Sequence, residues 1–331
     1  MNNILLSQSF GKESEYRRVI LAILSAFVYV KPTDIKVVLY TDNPEFFKKW
    51  LSGIDVHYVL LTPEKVKTMR GEIDFLHRMK IALIEESFAL FPEHNMFYID
   101  SDTFFIKSPL QTLAEVSESS ARMHLLEYPF SDIKDMPLPA GETFQAFYKL
   151  IDNNEFLLSN GENIKVLSSD ASWNAGVMCF HHTHQRFIAD AYTLTNQFYP
   201  STKNHASEQY AFSILLQKFT TLKPCEDVVY HYWYRVKKEV IDLILEEGKF
   251  KNIESLNIEQ KLRYLKPFVQ NLSYVIENHY LMYLDNAVQT FNENKFSQGY
   301  KWYLKAFFKN PSGSLKMFKD VLYHTKKLIL G

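Results

Sequence analysis

The sequence predicts an α/β fold: a mostly parallel sheet with helices on both faces, extended by a helical C-terminal segment. Three observations carry this. Short β-branched runs alternate with helical patterns over the first hundred residues, which is the order of βαβ units. Hydrophobic residues make up 47% and charged residues 23% of 331, enough to bury a substantial core and too apolar for global disorder. Gly (10) and Pro (12) are scarce, which excludes collagen-like and linker-rich chains and many-turned β-sandwiches.

The elements follow in order. Asn3–Ser7 is a short apolar run suited to a first strand. Glu13–Tyr29 has helical periodicity and stops ahead of Pro32. Its Val19–Val30 stretch is broken only by Ser25 and is too short to span a bilayer. Arg17 and Arg18 precede that stretch, but Lys31-Pro32 follows it in place of a small-residue cleavage site, so it reads as a buried helix rather than a leader. Ile35–Tyr40 and Val56–Leu61 are the next strands, Phe75–Leu90 a helix closed by Pro92, and Met96–Ile99 a fourth strand. Beyond residue 121 the pattern loosens. Strands are expected at Met123–Leu126, at Trp173–Phe180 with a small-residue dipeptide inside it, and at Val228–Trp233. Asp132–Asn163 is an excursion with helical segments, and His184–Phe198 and Ser207–Phe219 are helices. From about 237 onward the pattern is helical, dividing the chain into a catalytic unit, 1–240, and an extension, 241–331.

Net charge is −1, but residues 251–331 hold 12 basic and 6 acidic residues, leaving 25 basic and 32 acidic, a balance of −7, in the rest. That excludes a global nucleic-acid binder and leaves a local basic surface near the C-terminus. Two cysteines, Cys179 and Cys225, make neither a disulfide scaffold nor a cysteine zinc site and fit a reducing compartment.

In open parallel sheets ligands sit beyond the carboxyl ends of the strands, so Ser7/Gln8, Thr41/Asp42 and Asp100/Asp102 are site candidates. The Asp100-Ser101-Asp102 segment is the most informative. Two carboxylates at i and i+2 share a face of an extended segment, and at a strand end they can hold Mg²⁺ or Mn²⁺ against a diphosphate. With 15 Asp in the chain, chance alone supplies about 0.7 such pairs, so it is the apolar strand directly before this one that singles it out.

Several short blocks resemble GT-A-fold nucleotide-sugar glycosyltransferases, and most nearly the family containing glycogenin and bacterial lipopolysaccharide galactosyltransferases. Asp100-Ser101-Asp102 is similar to the family's metal-binding Asp-x-Asp; Arg78-Met79-Lys80 to its Arg-x-Lys; Asn174-Ala175-Gly176-Val177 to its Asn-(Ala/Ser)-Gly-Val; Ser207-Glu208-Gln209 stands where the family has Asp-Gln-Asp; and His231 with Lys237 resembles the closing His and Lys. Tyr210 replaces the third Asp of Asp-Gln-Asp, the 78–100 interval is longer and the 209–231 interval shorter than usual.

The resemblance covers about residues 1–240. It implies a GT-A, Rossmann-like fold and a transferase that takes a nucleotide-diphosphate sugar, a UDP-sugar above all, to a saccharide or lipid-linked acceptor, in surface polysaccharide or lipopolysaccharide synthesis. It further implies Mn²⁺ or Mg²⁺ held by Asp100, Asp102 and His231, Lys237 on the diphosphate and Arg78 at the donor.

The residues read alone agree in part. His231 is a candidate metal ligand through one imidazole nitrogen, or a plain structural histidine. Lys237 and Lys238 either cover phosphate oxygens or start a solvated helix. Arg78 and Lys80 do not share a helix face, so one of them faces the site, with Arg78 favoured. Ala175 and Gly176 let a substrate approach the backbone, or mark a tight packing spot or bulge, and Asn174 bonds a sugar hydroxyl or caps a turn. Under the transferase reading that the resemblance implies, Gln8, Thr41 and Asp42 would lie near base and ribose. Glu208 and Asp170 are candidate general bases for inversion, or a helix N-terminal carboxylate and a loop aspartate respectively, and Gln209 contacts the sugar if configuration is retained. His181, His182 and His184 read as a solvated edge rather than a metal cluster.

Gln298–Gly331 has seven Lys, one acid, and Lys301, Lys305 and Lys309 at intervals of four among aromatics. This is either a helix with lysines in water or a basic amphipathic face for peripheral membrane contact, which places the protein in the cytoplasm, at or near the inner face of the membrane. Two other functional readings stand beside the transferase. One is a non-catalytic nucleotide-sugar binder or scaffold. The other is a nucleotidyltransferase, which would need a Gly-rich phosphate loop after the first strand, where only Phe10-Gly11-Lys12 is found.

Overall fold

The computed structural model describes residues 3–246, 250 and 252–330. The strands are β1 (Asn3–Ser9), β2 (Lys36–Thr41), β3 (Val56–Leu60), β4 (Asn95–Ile99), β5 (Thr103–Phe105), β6 (Ser120–Met123), β7 (Leu126–Pro129), β8 (Phe156–Leu157), β9 (Asn163–Ile164), β10 (Ala171–Trp173), β11 (Val177–Phe180), β12 (Thr221–Pro224) and β13 (Val229–His231). Seven of them form one sheet in the order β12-β6-β11-β4-β1-β2-β3. All neighbours pair in parallel except β11, which runs antiparallel to both β4 and β6.

Side-chain alternation explains the layers. Ile4 and Leu6 of β1 enter one core with helices Arg78–Leu90, Glu142–Asn153, Ile188–Thr202 and Ser207–Phe219, whereas Leu5 enters a second core with helices Glu13–Phe27 and Ile258–Glu277. Helices on both faces are what a buried parallel sheet requires.

Three expected elements are redrawn. The strand expected at Met123–Leu126 is two strands, β6 and β7, separated by His124 and Leu125. The strand expected at Trp173–Phe180 is likewise split into β10 and β11, because Asn174-Ala175-Gly176 leave the ladder to enter the site. The expected histidine edge is not wholly solvated: His184 is buried and pushed down to about 4 by that burial. The short helices Pro44–Trp50, Pro63–Arg70 and Pro109–Glu115, each opened by a proline at its first position, went unpredicted.

The C-terminal helices fall into two groups. Helix Ile258–Glu277 shares the second core through Leu265, Val269, Leu272 and Ile276. Its buried Lys261 donates from Nζ to the carbonyls of Lys49 (2.7 Å) and Trp50 (2.8 Å), the last turn of helix Pro44–Trp50. Helices Tyr280–Asn292 and Phe296–Lys309 pair around a small cluster of their own, Ala287, Phe291, Tyr303, Met317 and Val321. No helix among the described residues is long and apolar enough to cross a membrane.

Candidate active site

Parallel strands β1, β2 and β4 end on one edge of the sheet, where a cleft of about 380 Å³ is lined by Gln8, Ser9, Phe10, Lys80, Asp100, Asp102 and Lys238, among others. Asp100 follows the last residue of β4. Three residues on, β5 begins and pairs antiparallel with β13, and its register sets His231 opposite Thr103, next in sequence to Asp102. The chain thereby delivers one ligand atom each from Asp100, Asp102 and His231 to within 4.8 Å of one another. Hard carboxylate oxygens and one imidazole nitrogen suit Mn²⁺ or Mg²⁺.

Asp100 donates its backbone N–H to Gly176 O (2.7 Å), and its Oδ1 accepts from Tyr98 Oη. Its Oδ2 lies 3.5 Å from Lys80 Nζ. Asp102 is almost fully buried, with Oδ1 3.3 Å from His231 Nε2 and Oδ2 2.6 Å from Lys238 Nζ. Burial pushes the Asp102 carboxyl up, but His231 and Lys238 outweigh it and hold it well below the usual carboxylate range. Lys80 is also buried. Desolvation disfavours its ammonium, yet Asp100 and Glu208 (3.3 Å) together raise its pKa, so it stays charged.

The expected residues separate into those the fold brings to this cleft and those it does not. Of the Arg78/Lys80 pair, Lys80 reaches the cleft. Arg78 donates to Met69 O (2.7 Å) and stacks over the Tyr192 ring at 4.4 Å, outside it. Of the closing lysines, Lys238 meets Asp102, whereas Lys237 bonds Tyr230 Oη (2.8 Å) and Glu277 (2.6 Å). Gln8 lines the cleft with its buried Oε1 unpartnered. Asp42 is engaged by Gly11 N–H (2.9 Å) and Tyr16 Oη (2.6 Å), and Thr41 Oγ1 accepts from Asn43 N–H (3.2 Å). Asp170 braces a turn through Leu167 N–H (2.9 Å) and pairs with Lys218 (3.0 Å). Glu208 is buried against Lys80.

Asn174, Ala175, Gly176 and Gln209 do converge, through a residue that sequence reasoning missed. Glu127 on β7 accepts from Asn174 Nδ2 (2.9 Å), Gln209 Nε2 (2.8 Å) and Ser172 Oγ (3.2 Å). Gln209 Oε1 accepts from Ala175 N–H (3.0 Å), so that amide is spent on the scaffold. Asn174 Oδ1 faces Gly176 N–H (3.0 Å) and His231 Nδ1 (3.0 Å). Gly176 is obligatory for a reason other than substrate approach: a Cβ there would lie 2.1 Å from His231 Cε1. No local motif marks Glu127; only the antiparallel pairing of β7 with β10 sets it beside Ser172.

No protein-family model and no curated protein sequence matches the chain. Solved structures do. Mouse xyloside xylosyltransferase 1 shares 10% identity over 68% of this chain and 85% of that one, with a TM-score of 0.44. The bifunctional glycosyltransferase WbbM shares 13% over 67% and 39%, with a TM-score of 0.46. The galactosyltransferase LgtC, solved with donor and acceptor sugar analogues, shares 11% over 79% and 94%, with a TM-score of 0.42. All three are glycosyltransferases. Likenesses this distant carry no argument about activity, which rests on the residues of the cleft.

Proposed function

We propose that the protein is a divalent-metal-dependent glycosyltransferase that moves a sugar from a nucleotide-diphosphate donor, a UDP-sugar, to a saccharide or lipid-linked acceptor in surface polysaccharide synthesis. The observation that carries this is the gathering of Asp100, Asp102 and His231 at the strand-end cleft, between the ammonium groups of Lys80 and Lys238. A divalent cation bound there supplies positive charge to the diphosphate as the sugar–oxygen bond breaks. Around it the chain's own groups divide the work. Lys238, tethered to Asp102, lies where it reaches phosphate oxygens. Gln8 offers its unpartnered Oε1 to the donor, and Lys80 holds Asp100 and Glu208 in place. The acceptor oxygen would form the new bond to the anomeric carbon as the sugar–phosphate oxygen bond breaks, and the departing diphosphate would take up the acceptor's proton; Glu208 and Asp170 are engaged in ion pairs with Lys80 and Lys218.

The lipid-linked side of the reading draws on the C-terminal helices. Phe308 is 80% exposed, and Leu304, Leu315, Phe318 and Leu322 are exposed among Lys301, Lys305, Lys309 and Lys319. Such a face suits an anionic membrane surface, where the protein would meet its acceptor. The nucleotidyltransferase reading loses ground because Gly11 N–H, the one glycine amide after β1, is committed to Asp42 and not open to a phosphate.

Thermal unfolding with UDP, GDP and their sugar conjugates, in Mn²⁺ and then in EDTA, tests the proposal. Ligand at 100 times its dissociation constant adds roughly 2.7 kcal/mol. A metal-dependent stabilisation by one base is expected. No stabilisation by any of them would refute it in favour of a non-catalytic scaffold.

A further inference from the structure

We propose that Glu127 and Asn174 are positioning residues that fix the tautomer of His231, so that in the neutral ring Nε2 is the nitrogen presented to the cation site. This rests on the metal-site reading above.

The chain of reasoning starts from two groups whose hydrogen-bonding sense is not in doubt. A backbone N–H can only donate, and an ionised carboxylate can only accept. Gly176 N–H therefore requires the Asn174 side-chain oxygen (3.0 Å), and Glu127 requires the Asn174 side-chain nitrogen (2.9 Å). The two anchors grip opposite ends of one amide, so it has a single orientation. Its oxygen then faces His231 Nδ1 at 3.0 Å and cannot donate, so Nδ1 carries the proton. In the neutral ring Nε2 then carries the lone pair and is turned toward Asp102 Oδ1, 3.3 Å away. With the ring neutral, two acceptors face each other there, an arrangement that a cation between them satisfies.

The ring is confined as well as polarised. Gly176 packs against its Cε1, Trp233 lies 4.9 Å away and His124 5.2 Å, both centroid to centroid. Histidine ligands commonly donate their second nitrogen to a carboxylate or carbonyl, and loss of that partner costs about 10–100-fold in metal affinity. Here the partner is an amide, and the carboxylate stands one residue further back. Glu127 sits outside the ligand set yet governs it through Asn174. Its other donors, Gln209 and Ser172, hold its own position.

Two measurements on the full chain test this: Mn²⁺ affinity by calorimetry, and the His231 tautomer by long-range ¹H–¹⁵N NMR of histidine-labelled, metal-free protein in alkaline solution. The expected tautomer is Nδ1–H. Asn174→Ala and Glu127→Ala are expected to weaken Mn²⁺ by about 10–100-fold. Glu127→Gln keeps an oxygen for Asn174 Nδ2 and is expected to restore most of the affinity. An Nε2–H tautomer in the unaltered protein overturns the proposal, as does an Asn174→Ala protein that folds and binds Mn²⁺ like the parent. If Asn174→Ala does not fold, the contrast between Glu127→Ala and Glu127→Gln and the parent tautomer decide. Failure of the parent to bind Mn²⁺ overturns the metal reading and the proposal with it. Mn²⁺ binding with the wrong tautomer overturns the proposal alone.

Discussion

Gly176→Ala isolates the role of His231 with one methyl group. Gly176 does not have a positive φ, so the substitution brings no left-handed strain. The added Cβ would stand 2.1 Å from His231 Cε1 and 2.8 Å from both ring nitrogens. Non-bonded carbons settle at about 3.5–4.0 Å, so the imidazole must retreat by about 1.5 Å. Metal–ligand distances tolerate only about 0.2 Å, so a cation held by His231 would lose that ligand. Overpacking adds a stability cost of about 1–3 kcal/mol. Mn²⁺ affinity measured by calorimetry should fall at least about 100-fold, roughly 2.7 kcal/mol. His231→Ala should fall comparably, and the double variant should lose little more than either single change, since both act on one ligand. Parental Mn²⁺ affinity in Gly176→Ala, or full additivity in the double variant, would refute the assignment of His231 to the cation site.

Other outcomes follow from the same geometry. Asp102→Asn should abolish sugar transfer while the thermal transition remains cooperative; turnover at the parental rate with metal present would sink the carboxylate assignment. Lys80→Met strands Asp100 and Glu208 without their shared cation and should cost about 3–5 kcal/mol in urea unfolding; a loss under 1 kcal/mol would mean the pairing is dispensable. His184 and His124 are held neutral by burial, pushed down to about 4 and about 3. Each binds a proton in the unfolded chain first, so stability should fall as pH drops below about 6.5, by about 1.4 kcal/mol per pH unit for each. His184→Gln should flatten that slope in urea titrations between pH 6.5 and about 4, and an unchanged slope would contradict the burial argument. Lys301, Lys305 and Lys309 changed together to Gln should weaken sedimentation with anionic phospholipid vesicles about 100-fold, at about 1 kcal/mol per charge; equal binding by parent and variant, or none by the parent, would remove the membrane face.

The parts of the site legible in the sequence were those that end strands. Asp100 and Asp102 follow an apolar run, Asn174 and Gly176 interrupt another, and His231 closes a third, so a period of two and a strand end were enough to place them. Helical residues were harder. Arg78 and Lys80 stand two apart, and Lys237 and Lys238 one apart. Choosing between them requires the phase of the helix, which depends on where its first turn starts; helix Arg78–Leu90 opens three residues later than the pattern suggested. Glu127 was invisible for a different reason. Its three donors come from 45 or more residues away, and neither strand carries a motif of its own. The break of Met123–Leu126 into two strands hid the same residue, because it concealed that β7 leaves the main sheet to pair with β10.

The anchoring of Lys261 on the end of helix Pro44–Trp50 bears on how such a protein could diversify. Helix Ile258–Glu277 is tied to helix Pro44–Trp50 by that lysine and to the second core by four side chains. Beyond His279 the helices rest mainly on one another. A recombination event falling between Ile276 and Tyr280 would exchange the helices beyond it for others while keeping the residues that line the cleft. The sheet with its packed helices and the outer helices would then be inherited separately, with the seam one short turn long.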